Sequence, residues 1–182
     1  MSVGHLHWVK GYEYALLALR DVWKAGVEIS YEILGKEAGA LLSVRTAIRD
    51  LGLEEHVIVR GECSRTEVRE SLRLADVFVL ASLSKGVSNA ALEAMAVGVP
   101  VVVTDVGGMA DAVTDGVNGL LVPSRDPAAL ANALLELAAD PERRRQMGER
   151  GRARAIADFD VKTRARAMLE QYQRLVDERS MS

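Results

Sequence analysis

Residues 82–105, SLSKGVSNAALEAMAVGVPVVVTD, decide how this chain folds. An apolar run from Val77 to Ala81 leads into them, and a short polar loop holding Gly86 interrupts it. Small and apolar residues then read as a helix carrying Glu93 in its first two turns, closed by Val97-Gly98. Val99-Pro100-Val101-Val102-Val103 reads as a second buried strand. Strand, small-residue loop, helix start and strand form the unit that binds phosphate in open α/β sheets, because a helix N-terminus offers unpaired N–H groups and a partial positive charge. Nucleotide binding is the first expectation.

Outward from this stretch the alternation continues. Upstream, Ser2-Val3 is a stub of strand, and Gly4 to Gly11 a loop. A helix follows from about Tyr12 to Lys24, with Leu16, Leu17, Leu19 and Trp23 on its apolar side. Ile29 to Leu34 reads as a strand, Leu41 to Leu51 as a helix with Leu42, Ile48 and Leu51 inward, and His56 to Arg60 as a third strand. Ser64 and Glu67 have capping-box spacing, which places a helix over Arg65 to Leu74. Downstream come a short helix near Met109 to Val113, a last strand at Gly119 to Val122, and three helices opened by Asp126-Pro127, Asp140-Pro141 and Asp160. Val161, Met168, Leu169, Tyr172, Leu175 and Val176 form one stripe on the last of them.

This order predicts an α/β fold: a Rossmann-like, doubly wound, mostly parallel sheet of about six strands with helices on both faces. Ligands in such sheets bind beyond the carboxyl ends of the strands. Here those are the loops at Gly4 to Gly11, Gly35 to Gly39, Gly61 to Ser64, Ser82 to Asn89 and Thr104 to Gly108. A sheet protein that opens on two or three strand residues reads as a piece cut at a domain boundary.

The 182 residues are enough for one good core, and a composition of 49% hydrophobic and 27% charged residues belongs to a globular protein. A formal net charge of −3 and 4% aromatics argue against a nucleic-acid partner. Cys63, the single cysteine, excludes an internal disulfide and suits a reducing cytoplasm, and the chain has no Cys/His cluster at metal-ligand spacing. The longest apolar run, Ala94 to Val103, contains Pro100 and falls short of the roughly 20 residues that cross a bilayer, although peripheral membrane contact stays open.

Several residues admit both a functional and a plain structural reading. Lys10 is a phosphate partner or a solvated lysine, and His5 a phosphate donor when protonated or a packing residue. Glu93, among alanines, leucine and methionine, either complements the helix dipole or accepts two hydrogen bonds from vicinal ribose hydroxyls. Gly86, Val87, Ser88 and Asn89 offer backbone N–H groups at a helix entrance, where ordinary capping needs no ligand. The arginines from Arg143 to Arg154, interspersed with Glu142 and Glu149, read as a solvated helix face.

Taken together, G-H-L-x-x-x-K-G at 4–11, K-G-x-S-N-x-x-L-E-A-M-A-x-G-x-P-V-V at 85–102 and G-G-M-A-D at 107–111 resemble glycosyltransferase family 4, retaining enzymes of GT-B type. The likeness runs from about Val3 to Glu178 and corresponds to the C-terminal, donor-binding half of a family member. It implies a nucleotide-diphosphate sugar donor, no tightly bound cofactor and no required metal. In this likeness Lys10 lies on the diphosphate, Glu93 on the ribose, and Gly86 to Asn89, with Leu92, beside the phosphate and sugar. Gly35 and Gly61 border the base. An N-terminal acceptor domain is absent over residues 1–182, so the terminal helix stripe is expected to be an exposed strip or a self-association surface.

Two positions depart from the family pattern. Lys85 stands where the family's first catalytic glutamate contacts donor-sugar hydroxyls, and a lysine donates but cannot accept. The swap removes a charge-assisted bond worth about 1.5–3 kcal/mol and puts positive charge where an oxocarbenium-like sugar develops. His5 replaces an arginine that forks onto the diphosphate. The expectation is therefore a nucleotide-sugar-binding domain of a glycosyltransferase, inactive alone; the alternative is a noncatalytic nucleotide-binding or assembly module. A dinucleotide oxidoreductase is disfavoured, since no G-x-G-x-x-G follows the first strand.

Overall fold

The computed structural model describes residues 1–84 and 86–180, so Lys85 lies outside the described residues. Six parallel strands alternate with helices: β1 (Ser2–Val3), α1 (Tyr12–Lys24), β2 (Tyr31–Leu34), α2 (Leu41–Asp50), β3 (Val57–Gly61), α3 (Arg65–Leu74), β4 (Phe78–Leu80), α4 (Asn89–Ala96), β5 (Val101–Thr104), α5 (Met109–Ala112) and β6 (Leu120–Val122). Three helices follow: α6 (Pro127–Ala139), α7 (Pro141–Phe159) and α8 (Val161–Ser180).

The strands form two three-stranded sheets, β1-β2-β3 and β4-β5-β6, that meet edge to edge. At the seam the Met1 amine donates to Val77 O at 2.9 Å and the Val79 N–H donates to Met1 O at 2.8 Å. This is the hydrogen-bond pattern of one parallel bridge, with Met1 opposite Phe78. The spatial order is thus 3-2-1-4-5-6, a doubly wound sheet in which the chain leaves β1 in one direction and β4 in the other.

Side chains alternate across this sheet as strand geometry requires. Ile33, Val79 and Val102 enter a core with α1, α2 and α6, whereas Leu34, Phe78, Leu80, Val101 and Val103 enter a second core with α3, α4 and α5. Val101, Val102 and Val103 are all fully buried, which accounts for the unbroken valine run.

The capping residues act as their spacing predicts. Ser64 and Glu67 close a capping box, and Asp126 and Asp140 each accept from the N3 amide of a helix with proline in its first turn. The Asp160 carboxylate accepts from Thr163 N–H at 3.1 Å. Strands are shorter than expected, β2 starting at Tyr31 rather than Ile29.

Two inward assignments are corrected. Trp23 is 40% exposed because α1 buries Ala15, Leu16, Leu19 and Val22, one position out of phase with the tryptophan. Leu42 is 80% exposed because α2 turns Val44 and Ile48 inward. On α8, Met168, Leu169, Tyr172 and Val176 are exposed; the side chains of Val161 and Leu175 lie outside the described residues.

Candidate functional site at the switch point of the sheet

β1 and β4 lie side by side, and the loops that follow them meet beyond the carboxyl ends of the strands, where doubly wound sheets take their ligands. The loop after β1 is held tightly. Gly4 N–H donates to Leu34 O at 2.8 Å, and the Tyr12 hydroxyl reaches back from α1 to Gly4 O at 2.8 Å. Gly35 N–H donates to Gly61 O at 2.7 Å, and a side chain at Gly35 would collide with the Gly4 carbonyl. Gly4, Gly35 and Gly61 therefore form a row of close backbone contacts across β1, β2 and β3.

Lys10 folds back over this row: a Cβ at Gly4 would lie 2.9 Å from Lys10 Cε and 3.1 Å from Nζ. His5 is exposed beside it. His7, given no role by the sequence, caps a 3-10 turn over Trp8–Lys10, its Nδ1 accepting from Val9 N–H at 3.3 Å. Val9 O then accepts from Leu83 N–H at 2.8 Å, tying the β1 loop to the β4 loop.

The β4 loop is fixed from its other side. Thr104 Oγ1 donates to Ser82 O at 2.6 Å, and the Ser88 N–H meets Met109 Sδ at 3.3 Å. A Cβ at Gly108 would come within 3.1 Å of Val87 Cγ2, so the loops after β4 and β5 are in contact at Val87. From this platform α4 starts at Asn89, with Gly86 and Asn89 exposed at its entrance, Glu93 exposed in its second turn and Leu92 half-buried against the second core.

Helix capping divides the molecule electrostatically. The helices α3, α6, α7 and α8 have side-chain caps, and the Glu37 carboxylate takes Gly39 N–H at 2.6 Å and Leu41 N–H at 2.9 Å at the start of α2. By contrast α1, α4 and α5, which begin at the carboxyl ends of β1, β4 and β5, have no side-chain cap hydrogen bond. These helix starts lie at the same edge of the sheet as Lys10, and a helix start without a side-chain cap favours an anion. Among the described residues Ser82 Oγ, on the same loop, is buried with no hydrogen-bond partner.

The loops at this edge thus carry His5, Lys10, Gly35 and Gly61 on the β1–β3 half of the sheet, with Gly86, Val87, Ser88 and Asn89 and the α4 residue Glu93 on the β4 half, and the Leu83–Val9 hydrogen bond joins the two. Tyr12, Thr104 and Met109 escaped sequence reasoning. Each meets a backbone group outside its own element, Met109 through its sulfur, and no local spacing announces that. A separate cavity of about 520 Å³ opens at the amino ends of β1, β2 and β4, the opposite edge from these loops.

The glycosyl transferases group 1 family model matches residues 1–154. The D-inositol 3-phosphate glycosyltransferase of Paenarthrobacter aurescens is 35% identical over 97% of this chain and 44% of its own length. Among solved structures, Anabaena HepE in complex with UDP superposes with a TM-score of 0.86 at 25% identity, covering 94% of this chain and 48% of that one. The C-terminal domain of a glycosyl transferase group 1 protein from Francisella tularensis shares the fold, with a TM-score of 0.79 at 22% identity over 88% of this chain and 85% of its own. The chain spans less than half the length of the curated relative above. With 154 of 182 residues matched by the family model, the chain belongs to the glycosyl transferases group 1 family.

Proposed function

We propose that this chain is the donor-binding domain of a retaining glycosyltransferase and that the loops at the carboxyl edge of the sheet bind a nucleotide-diphosphate sugar. The observation that carries this reading is that the helices following β1, β4 and β5 start without side-chain caps at the edge of the sheet where Lys10 lies over Gly4. Lys10 and the N–H groups at the start of α4 face the diphosphate, Glu93 accepts from the ribose hydroxyls, and the Gly35 and Gly61 backbone borders the base. HepE, a structural neighbour, is described in complex with UDP, which makes a uridine nucleotide the first ligand to try. Transfer to an acceptor belongs to a longer assembly, with the acceptor held by a second domain and α8 reaching toward it.

A noncatalytic nucleotide-binding module is the second reading, favoured by lysine at 85 and histidine at 5. Calorimetric titration with UDP, GDP and ADP tests the first premise of both. Binding of one of them, weakened in Lys10→Ala and in Glu93→Ala, is the expected result; no binding of any overturns both readings. The two separate when Lys85→Glu is assayed for transfer beside an acceptor domain, where gained turnover supports the enzyme.

A further inference from the structure

Over residues 82–112, the loops after β4 and β5 with the helices they open, the acids are Glu93, Asp105 and Asp111. Glu93 has its proposed role at the ribose. Asp111 ends the stretch Gly107-Gly108-Met109-Ala110-Asp111, to which no role has been given, and two contacts bring that stretch to the start of α4. Met109 is buried, and its Sδ meets the Ser88 N–H at 3.3 Å. Burial of Met109 and Ala112 leaves Ala110 and Asp111 exposed on the other side of α5.

The second contact is at Gly108. A Cβ there would lie 3.1 Å from Val87 Cγ2, 3.6 Å from Val87 N and 3.3 Å from Asp111 Oδ2. The carboxylate and the Val87 backbone therefore border one space, over the α-carbon of Gly108. With φ −93° and ψ 19° the backbone of Gly108 is open to other residues, so what the glycine supplies is room. Arg154 stands close by, yet its guanidinium donates to the backbone Asp111 O at 3.1 Å and pairs with Asp158 at 2.7 Å. Among the described residues the Asp111 carboxylate itself takes no hydrogen bond or ion pair.

We infer that Asp111 is a sugar-specificity residue of this edge, its carboxylate accepting hydrogen bonds from hydroxyls of a neutral hexose carried on the diphosphate. The inference rests on the nucleotide-sugar reading above. A hexose presents several hydroxyl donors, whereas the backbone N–H groups at the α4 entrance only donate, and so does lysine at 85. An acceptor has to come from a neighbouring element. An exposed carboxylate on α5 accepts from two hydroxyls at once, and its charge disfavours a sugar that is itself anionic. Asp105 is less suited, because its backbone is tied to β6 by the bond from its N–H to Val122 O at 2.8 Å.

The test titrates UDP, GDP and ADP, each beside its glucose conjugate, into the unaltered chain, Asp111→Ala, Asp111→Asn and Asp105→Asn. For the nucleotide that binds, Asp111→Ala is expected to weaken the glucose conjugate by about 10-fold or more and the free diphosphate by less than about 2-fold. Asp111→Asn keeps one acceptor oxygen and should fall between, while Asp105→Asn should leave both ligands unchanged. Equal changes for conjugate and diphosphate in Asp111→Ala, or no change in either, overturn the role of Asp111 and leave the nucleotide site standing. A diphosphate that binds while its conjugate does not has the same consequence. Failure of all three diphosphates to bind the unaltered chain overturns the nucleotide reading itself, and this inference with it.

Discussion

The Tyr31 hydroxyl donates to Ser2 Oγ across 2.5 Å, and Ser2 Oγ in turn donates to Val79 O at 2.6 Å. The direction follows from proton supply, since the single serine proton is committed to a carbonyl. Tyr31 is fully buried, and burial holds its phenol protonated, well above the ordinary tyrosine range. The relay crosses β2, β1 and β4 and so fastens one three-stranded sheet to the other.

Removing Ser2 Oγ orphans both the phenol and the Val79 carbonyl, whereas removing the phenol orphans neither. Ser2→Ala should therefore cost about 2–3 kcal/mol and Tyr31→Phe about 1 kcal/mol. The double variant should cost less than the sum, because its second change removes the orphaned phenol. Urea unfolding of the four chains measures the cycle, and strict additivity would refute the relay.

Gly11 holds the two site loops together. Its backbone is left-handed at φ 61°, and a Cβ there would strike the Ala81 carbonyl. Gly11→Ala should cost about 3 kcal/mol or more, combining strain and backbone collision. Among the described residues, and apart from its chain neighbours, Gly86 has no heavy atom within 4 Å of the place a Cβ would occupy, so Gly86→Ala should change stability by less than about 1 kcal/mol. Thermal unfolding of both variants gives the contrast, and equal losses would contradict it.

In a chain that starts at Met1, the buried amine makes stability depend on pH. Its folded pKa, lowered from 8.0 to about 5, is set first by desolvation, which Glu32 and Asp76 partly oppose. Above pH 8 the amine is neutral in both states and the fold has its full stability. As pH falls from 8 toward 5 the unfolded chain takes a proton that the fold refuses, and up to about 4 kcal/mol is lost before the curve levels. Denaturation at pH 8.5 and pH 5.5, on chain whose free Met1 is verified by mass, reads this. The gap should shrink when the amine is acetylated.

Much of the architecture is legible because its signals are local. The Ser64/Glu67 box, the Asp-Pro pairs at 126–127 and 140–141, and the valine run at 101–103 each depend on neighbours within one turn or one strand. The facing of α1 and α2 is less legible, since leucines and a tryptophan occur on more than one side, and the phase is set by what α6 and β2 offer across the core. The site divides the same way. The Gly86 to Glu93 stretch shows its helix start directly, whereas Tyr12 on Gly4 O and Met109 on the Ser88 amide are tertiary pairings that only the folded chain assembles. The seam is legible least of all, because it rests on one bridge and one hydroxyl relay.

Lys10 lies on the loop after β1 and Glu93 on α4, and in their proposed roles they should fail differently. A lysine on the diphosphate supplies a charge-assisted bond that uridine lacks the group to receive, so Lys10→Ala should weaken UDP by about 10- to 100-fold and leave uridine nearly unchanged. With Glu93 proposed to accept from ribose, which both ligands carry, Glu93→Gln should weaken UDP and uridine by similar factors. Salt separates them further: raising ionic strength should weaken UDP binding in the unaltered chain more than in Lys10→Ala, because screening acts on the lost charge pair. Titration calorimetry of three chains with two ligands at two salt concentrations tests this assignment. Equal losses for UDP and uridine in Lys10→Ala would move the lysine off the diphosphate.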